Sequence, residues 1–215
     1  MEVNCPMLRQ RIRVRFRKQG DLRWISHRDL VRVFERLMRR AGLRLGMSEG
    51  FHPKARMTFP SALALGVEGW DEVMEFELAE PLAAEEISRR LAEQAPEGLH
   101  LTEVRCLQPH QRKARLRQVT YRMPIPHARH EALEARIQEL EKQPSFWIQP
   151  TGDRQGNSPA SGLDQLDFQS GTLQFRLQGN LQGGFSPRHV LQALGLDDLQ
   201  QEGVCLTRSE VEIEG

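Results

Sequence analysis

The sequence predicts a mixed α+β protein built from two consecutive β-α-β-β-α-β units. Three observations support this prediction. Hydrophobic residues make up 39% of the 215 residues and charged residues 27%, as in ordinary globular domains. Segments of strict polar–apolar alternation, typical of strands, are interleaved with segments of helical periodicity. The same order of segments occurs in both halves of the chain, although no sequence repeat accompanies it.

The first element is a predicted strand over residues 11–17 (RIRVRFR), in which arginines alternate with Ile12, Val14 and Phe16. Successive side chains of a strand point to opposite faces. We therefore expect the three apolar residues to pack on helices and the arginines to line the open face of the sheet. Because Phe16 lies on the packed face, we do not expect the sheet to offer an aromatic ring for base stacking.

A helix is predicted over residues 27–41. Ser26 has the chemistry of an N-cap, and Asp29 completes a variant of the capping box three residues later. Apolar residues recur at spacings of three and four along the segment, which predicts one buried stripe. Gly42 is the expected end of the helix.

The remaining elements follow from the same two periodicities. The first unit continues with a strand or hairpin arm over 43–60, a strand over 73–78, a helix over 83–94 and a strand over 101–107. The second unit has strands over 119–125, 145–148, 173–177 and 206–213 and helices over 127–142 and 187–194. This order is the ferredoxin-like arrangement, so the predicted fold class is α+β with two tandem ferredoxin-like units.

The predicted domain boundaries follow the gap between the two sets of elements. Residues 1–107 form a basic N-terminal domain, residues 108–118 a basic linker, and residues 119–215 a C-terminal domain. Within the second domain, the polar segment 151–162 (TGDRQGNSPASG) is expected to be a mobile loop.

The net charge of +1 hides a segregated pattern. Residues 1–60 contain 15 basic and 5 acidic side chains, whereas residues 61–100 contain 2 basic and 10 acidic ones. We interpret Glu72, Glu75 and Glu77 as the exposed face of a strand. A chain that is nearly neutral on average can still present one positive face, and such a face attracts an anionic partner.

Several classes of protein are disfavoured by composition. No apolar run approaches the ~20 residues of a membrane span, and the first residues lack the apolar stretch of a signal peptide. We therefore expect a cytoplasmic protein with no membrane partner. Cys5, Cys106 and Cys205 are scattered and lack the spacing of a metal knuckle or an iron–sulfur site, so we expect no cofactor and no metal.

The basic residues of the first unit are candidate contacts to RNA phosphates. Arginine suits this role because its planar fork donates two hydrogen bonds to one phosphate group. The candidates lie on the first strand, the first helix and the 43–60 arm: Arg11, Arg13, Arg15, Arg17, Arg28, Arg32, Arg36, His52, Lys54 and Arg56. Two alternatives stay open: a solvated charged face, and an interaction module for an acidic protein.

His27 is the candidate catalytic residue. The positive end of the helix dipole disfavours an imidazolium at this position, and a neutral imidazole could act as general base toward a ribose 2′-hydroxyl. This chemistry would make the protein a metal-independent endoribonuclease. The alternative is a histidine that only packs at the helix start, with Ser26 and Asp29 as caps; on balance we expect a protein without enzymatic activity.

One stretch of the sequence resembles a known family. The strings WISHRDL (24–30), RVFER (32–36), RRAGL (39–43), SEGFHP (48–53) and LGVE (65–68) resemble the radical-SAM-linked protein family, a bacterial domain of unknown function. The chain resembles its standalone form, because it lacks the cysteines of a radical SAM domain. Arg28 departs from the family pattern, in which an apolar residue is expected, and makes this helix start more basic.

The resemblance implies a partner rather than an activity. It implies association with a radical SAM enzyme, and the frequent company of this family with ribonuclease and ribosomal-protein genes implies a link to RNA. We therefore expect an RNA-binding protein that presents structured RNA, such as tRNA or rRNA, to a radical SAM enzyme. The tandem arrangement is also similar in architecture to the CRISPR repeat-processing endoribonucleases, although architecture does not give function.

Overall fold

The structure is a computed structural model that describes residues 9–142, 148–149, 161–178 and 186–215. It confirms a mixed α+β protein. The described residues form two compact units, one of residues 9–65, 69–115 and 215 and the other of residues 66–68 and 116–214. The predicted linker, residues 108–118, includes the start of a strand, and the predicted domain boundaries stay a prediction.

The first unit contains four strands and two α-helices in the described part of the chain. In order, they are β1 (Gln10–Lys18), α1 (His27–Arg40), β2 (Met57–Thr58), β3 (Glu68–Leu78), α2 (Ala84–Gln94) and β4 (Leu99–Leu107). A 3-10 turn over Gly20–Trp24 connects β1 to α1. The strands lie in the order β4-β1-β3, with β2 against β3, and each of these pairs is antiparallel.

The core of the first unit lies between its sheet and its helices. Ile12, Val14 and Phe16 are fully buried, as their alternation predicts. The buried face of α1 consists of Leu30, Phe34, Leu37 and Met38. The rings of Phe16 and Phe34 meet edge to face with their centroids 4.9 Å apart. This packing fixes which face of β1 is left for the arginines.

The acidic face of β3 differs from the sequence prediction, and β1 has a register shift about which the sequence made no prediction. Glu72 and Glu75 are both only 4% exposed, so the prediction of an exposed acidic strand face is wrong for them. The register of β1 against β3 shifts between Phe16 and Lys18, and Lys18 is buried with its Nζ donating to the carbonyl of Ile25 at 3.1 Å. Such a bulge changes the face to which the following side chains point.

The second unit contains five strands and two α-helices within the described residues. They are β5 (Arg115–Pro124), α3 (His130–Glu141), β6 (Ile148–Gln149), β7 (Ser161–Gln169), β8 (Thr172–Gln178), α4 (Pro187–Leu194) and β9 (Thr207–Glu214). The strand order is β9-β5-β8-β7-β6. A 3-10 turn over His127–Arg129 precedes α3, so the predicted helix start at residue 127 is three residues early.

Strand β7 was not predicted from the sequence. Its register against β8 shifts between Leu163 and Gln165, and this irregularity breaks the alternation by which strands are recognised. The strand begins at Ser161, inside the segment predicted as a mobile loop, whose residues 151–160 lie outside the described part. Residues 145–147 of another predicted strand lie outside it as well.

None of the helices in the described residues is both long enough and apolar enough to cross a membrane.

Candidate functional site

The arginines at the start of β1 are held by a buried carboxylate. Arg11 Nη2 donates to Glu75 Oε2 at 3.0 Å, and Arg13 Nε donates to Glu75 Oε1 at 2.9 Å. The backbone N–H of Ala114 donates to the same Oε1 at 3.1 Å. The pairing of β1 with β3 sets this contact, because it places Arg13 directly opposite Glu75. Both guanidinium groups are thus already engaged within the protein.

The other two arginines of β1 differ from each other. Arg15 Nη1 donates to Asp71 Oδ2 at 2.5 Å, and its Nε lies 3.8 Å from Glu103. Arg17 is exposed and forms no ion pair with any residue in the described ranges. Along most of β1, the positive charge of each arginine is therefore balanced by a neighbouring carboxylate. The role of these arginines as phosphate contacts stays a prediction.

Helix α1 presents a second and less neutralised set of arginines. Five of them are exposed: Arg28, Arg32, Arg36, Arg39 and Arg40. Arg32 pairs with Asp29 at 3.1 Å, and Arg40 donates to the carbonyl of Gln94 at 2.8 Å. The remaining three form no ion pair or side-chain hydrogen bond with a residue that the structure describes.

The start of α1 has the predicted cap. The Asp29 N–H donates to Ser26 Oγ at 3.2 Å, and the Ser26 hydroxyl donates to Asp29 Oδ2 at 2.7 Å. The hydrogen bond from Ser26 lowers the pKa of Asp29 below its usual value, and Arg32 lowers it further. Both contacts fix the first turn of the helix on which the arginines lie.

His27 is the first residue of α1 and packs against an aromatic ring. Its ring meets Phe59 edge to face, with centroids 5.0 Å apart. His52, by contrast, is exposed on the 43–60 arm. The structure thus gives His27 an apolar neighbour consistent with packing, and its catalytic role stays a prediction.

The 43–60 arm folds as a hairpin along the edge of β3. The N–H of Gly46 donates to the carbonyl of Glu77 at 2.7 Å, which attaches the arm to the strand. The Ser48 N–H donates to the carbonyl of Lys54 at 2.8 Å, and the Lys54 N–H donates to Ser48 Oγ at 2.9 Å. These bonds close a tip over residues 49–53, in which Phe51 is fully exposed (101%).

A cavity of about 280 Å³ lies at the base of this hairpin, inside the first unit. Its lining includes four cationic side chains and two carboxylates: Arg11, Lys54, Arg56, Lys113, Glu75 and Glu77. Arg11 is bound to Glu75, and Arg56 Nη1 lies 3.6 Å from Glu77 Oε2. Lys54 and Lys113 are exposed and form no ion pair with a described residue.

Metal ligands are not assembled in the described residues, where no group of three or more His, Cys, Asp or Glu side chains could hold an ion.

Two residues of this region escaped the sequence analysis. Phe51 was not proposed as a binding residue, because base stacking was considered only for aromatic residues on the sheet. Gly50 and Pro53 flank it, and this composition is typical of a turn, where an aromatic side chain has few neighbours to pack against. Lys113 was assigned to the linker. Lys113 lies close to the hairpin only because residues far apart in the sequence are brought together by folding, and no local sequence pattern predicts such a contact.

Similarity to solved structures is distant. A crystal structure of an unknown protein from Galdieria sulphuraria is 14% identical, with 96% of this chain and 99% of that chain covered and a TM-score of 0.27. A crystal structure described as a candidate glycine cleavage system transcriptional repressor is 10% identical, with 96% and 98% covered and a TM-score of 0.25. Scores this low carry no argument about fold or function. No curated protein matches the chain.

The sequence profile of one protein family matches residues 11–192, which is most of the chain. The family is described as an uncharacterized protein conserved in bacteria, DUF2344. The match includes all of the candidate residues on β1, on α1 and on the hairpin. The chain therefore belongs to this uncharacterized bacterial family.

Proposed function

We propose that the protein binds structured RNA through the exposed face of α1. The observation that supports this most is the contrast between two sets of arginines. Three arginines of β1 are bound to carboxylates, whereas Arg28, Arg36 and Arg39 on α1 are exposed without an ion pair among the described residues. Exposed guanidinium groups of this kind are available to phosphates.

The spacing on α1 suits a polyanion. Arg28, Arg32 and Arg36 are four residues apart, so they lie along one side of the helix. Only two exposed acids, Asp29 and Glu35, accompany the five arginines of the helix. A row of positive charge along one helix favours an extended chain of phosphates over a single small anion.

The expected mode of recognition is contact with the phosphate backbone. Arginine contacts of this kind position a nucleic acid without reading its sequence. Phe16 is fully buried, so it offers no stacking surface on the sheet. We therefore propose recognition by shape and charge, as for folded RNAs such as tRNA or rRNA.

The proposal also includes a partner enzyme and a cellular location. The resemblance of residues 24–68 to the radical-SAM-linked family supports a role in presenting RNA to a radical SAM enzyme in the cytoplasm.

The β-α-β-β-α-β order and the strand order β4-β1-β3-β2 support a ferredoxin-like first unit. For the second unit we propose the same arrangement with one additional strand.

Charge reversal on α1 tests the proposal. Binding of a labelled tRNA transcript is measured in EDTA for the wild type and for Arg28→Glu/Arg36→Glu. The matched control is Arg122→Glu/Arg188→Glu, which changes the net charge equally at two exposed positions of the second unit. We expect at least ~10-fold weaker binding for the α1 variant, near wild-type binding for the control, and intact RNA throughout.

Two results would count against the proposal. Equal loss of binding in both double variants would show a response to net charge alone. Binding that both variants retain would exclude α1 as the contact surface. New RNA fragments that disappear in His27→Ala would instead support the endoribonuclease alternative.

A further inference from the structure

We propose that the hairpin of residues 45–57 is a binding site for one unpaired nucleotide of the RNA. Phe51 stacks on the base, and the cavity at the base of the hairpin holds the adjacent phosphate through Lys54 and Lys113. This inference rests on the proposed RNA-binding function and adds the class of ligand that the first unit recognises.

The tip of the hairpin displays an aromatic ring at a defined place. The paired bonds between Ser48 and Lys54 close the loop, and Gly50 adopts a φ of 120°, which favours glycine. Phe51 is fully exposed although burial of a large apolar side chain in a core would stabilise the fold. An aromatic face at such a position is the platform on which proteins stack unpaired bases.

The charges around the cavity favour an anion. Glu75 already accepts hydrogen bonds from two arginines and a backbone N–H, and Glu77 lies close to Arg56. The negative charges of the two carboxylates are thus balanced by arginines. Lys54 and Lys113 form no ion pair with a residue that the structure describes, so their ammonium groups can contact a ligand. The excess positive charge at the rim matches a phosphate group.

Ser48 adds a neutral donor to the same rim. Its Oγ accepts the hydrogen bond from the Lys54 N–H, which leaves the hydroxyl proton to donate to a ligand. The volume of about 280 Å³ is close to the smallest ligand pockets of proteins. It therefore suits one phosphate and part of its sugar, while the base lies outside on the tip.

The arrangement discriminates between paired and unpaired RNA. Bases inside a duplex stack on each other, so their faces are not accessible to Phe51. A base in a loop or bulge has a free face. We therefore expect a preference for RNA with an unpaired nucleotide over a fully paired duplex of the same length, in addition to the contacts that α1 makes with both.

The test uses the full chain and a fluorescent base. A stem–loop RNA carries 2-aminopurine in its loop, and a duplex of equal length carries it in a pair; stacking quenches its fluorescence. The variants are Phe51→Ala and Phe51→Tyr. The control is Leu65→Ala, which removes another exposed apolar side chain of the first unit outside the hairpin.

We expect the wild type to quench the loop probe. Phe51→Ala should abolish the quenching and weaken binding of the stem–loop by about 10-fold without changing the affinity for the duplex. Phe51→Tyr and Leu65→Ala should behave as the wild type. Circular dichroism spectra that match the wild type confirm that each variant is folded.

Distinct results would overturn the inference and the proposed function. If Phe51→Ala binds and quenches the stem–loop as the wild type does, the nucleotide site is wrong, while RNA binding through α1 stands. If the wild type binds neither RNA, both proposals fail. Phe51 would then be a candidate contact for a protein partner.

Discussion

Glu75 connects the arginines of β1 to the segment that follows β4. Its carboxylate accepts hydrogen bonds from Arg11, Arg13 and the backbone of Ala114, and it is almost entirely buried. A buried carboxylate is tolerated when its charge is balanced and its oxygens are hydrogen-bonded. The two arginines therefore have a structural role at this position.

The substitution Glu75→Gln tests that role. It leaves two partly buried guanidinium groups without their counter-charge, so we expect the free energy of unfolding to fall by about 3 kcal/mol. Urea denaturation followed by circular dichroism measures the change. The control is Glu80→Gln, whose partner Arg44 is exposed, and it should cost less than about 1 kcal/mol. Equal losses for the two variants would contradict the structural role of Glu75.

The sequence predicted the residues of β1 better than their partners. The alternation of residues 11–17 showed correctly that Ile12, Val14 and Phe16 face the core. It did not show that Glu75 lies opposite Arg13, because strand register depends on the turns and on packing far along the chain. An acid that looks exposed in its own strand can therefore be buried under arginines from another.

Helix α1 is the element for which local signals were most complete. Ser26, the apolar spacing and Gly42 predicted its start, its buried face and its end to within one residue. Each signal acts within one or two turns, so a single sequence contains it. The fold of β7 depends instead on a bulge in its pairing with β8, and that information is not local.

Ser26→Ala should weaken α1. The substitution removes the acceptor for the Asp29 N–H, and loss of an N-cap costs about 1 kcal/mol of the free energy of unfolding. Urea denaturation measures this loss. Ser26→Asn keeps a capping oxygen and should stay within a few tenths of a kcal/mol of the wild type. An alanine variant as stable as the wild type would mean that the cap is not needed.

Helix α2 provides a prediction about pH. Hydrogen bonds from Arg89 and Arg90 lower the pKa of Glu86 from 4.5 to about 2. Because the folded pKa lies below the unfolded one, this interaction stabilises the fold fully above pH 4.5, and the contribution is lost as the pH falls toward 2. NMR titration of the Glu86 carboxyl group measures the midpoint.

Two arginine variants test whether the hydrogen bond from Arg89 lowers the pKa of Glu86, or whether the loss of any positive charge has the same effect. Arg89→Gln should raise the pKa of Glu86 toward its ordinary value, because Arg89 makes the largest contribution to the shift. Arg122→Gln lies in the second unit and should leave it unchanged. A midpoint near 4.5 in the wild type would show that the ion pairs of α2 do not persist in solution.

At the scale of the whole molecule, segregation of charge along the sequence does not mean segregation in space. The described basic segment, residues 9–60, and the acidic segment, residues 61–100, belong almost entirely to the same unit, and Asp71, Glu75 and Glu77 neutralise arginines there. The sequence therefore overstated the positive charge of the sheet. The arginines of α1 are exposed with few acids beside them, and their role as phosphate contacts stays a prediction.

The salt dependence of RNA binding tests the central claim most directly. The affinity for a tRNA transcript is measured between 50 and 200 mM salt for the wild type and for Arg28→Glu/Arg36→Glu. We predict that the logarithm of the affinity falls steeply with the logarithm of salt concentration, and that the slope of the variant is shallower by about 2. A slope near zero in the wild type, or the same steep slope in both proteins, would contradict RNA binding through α1.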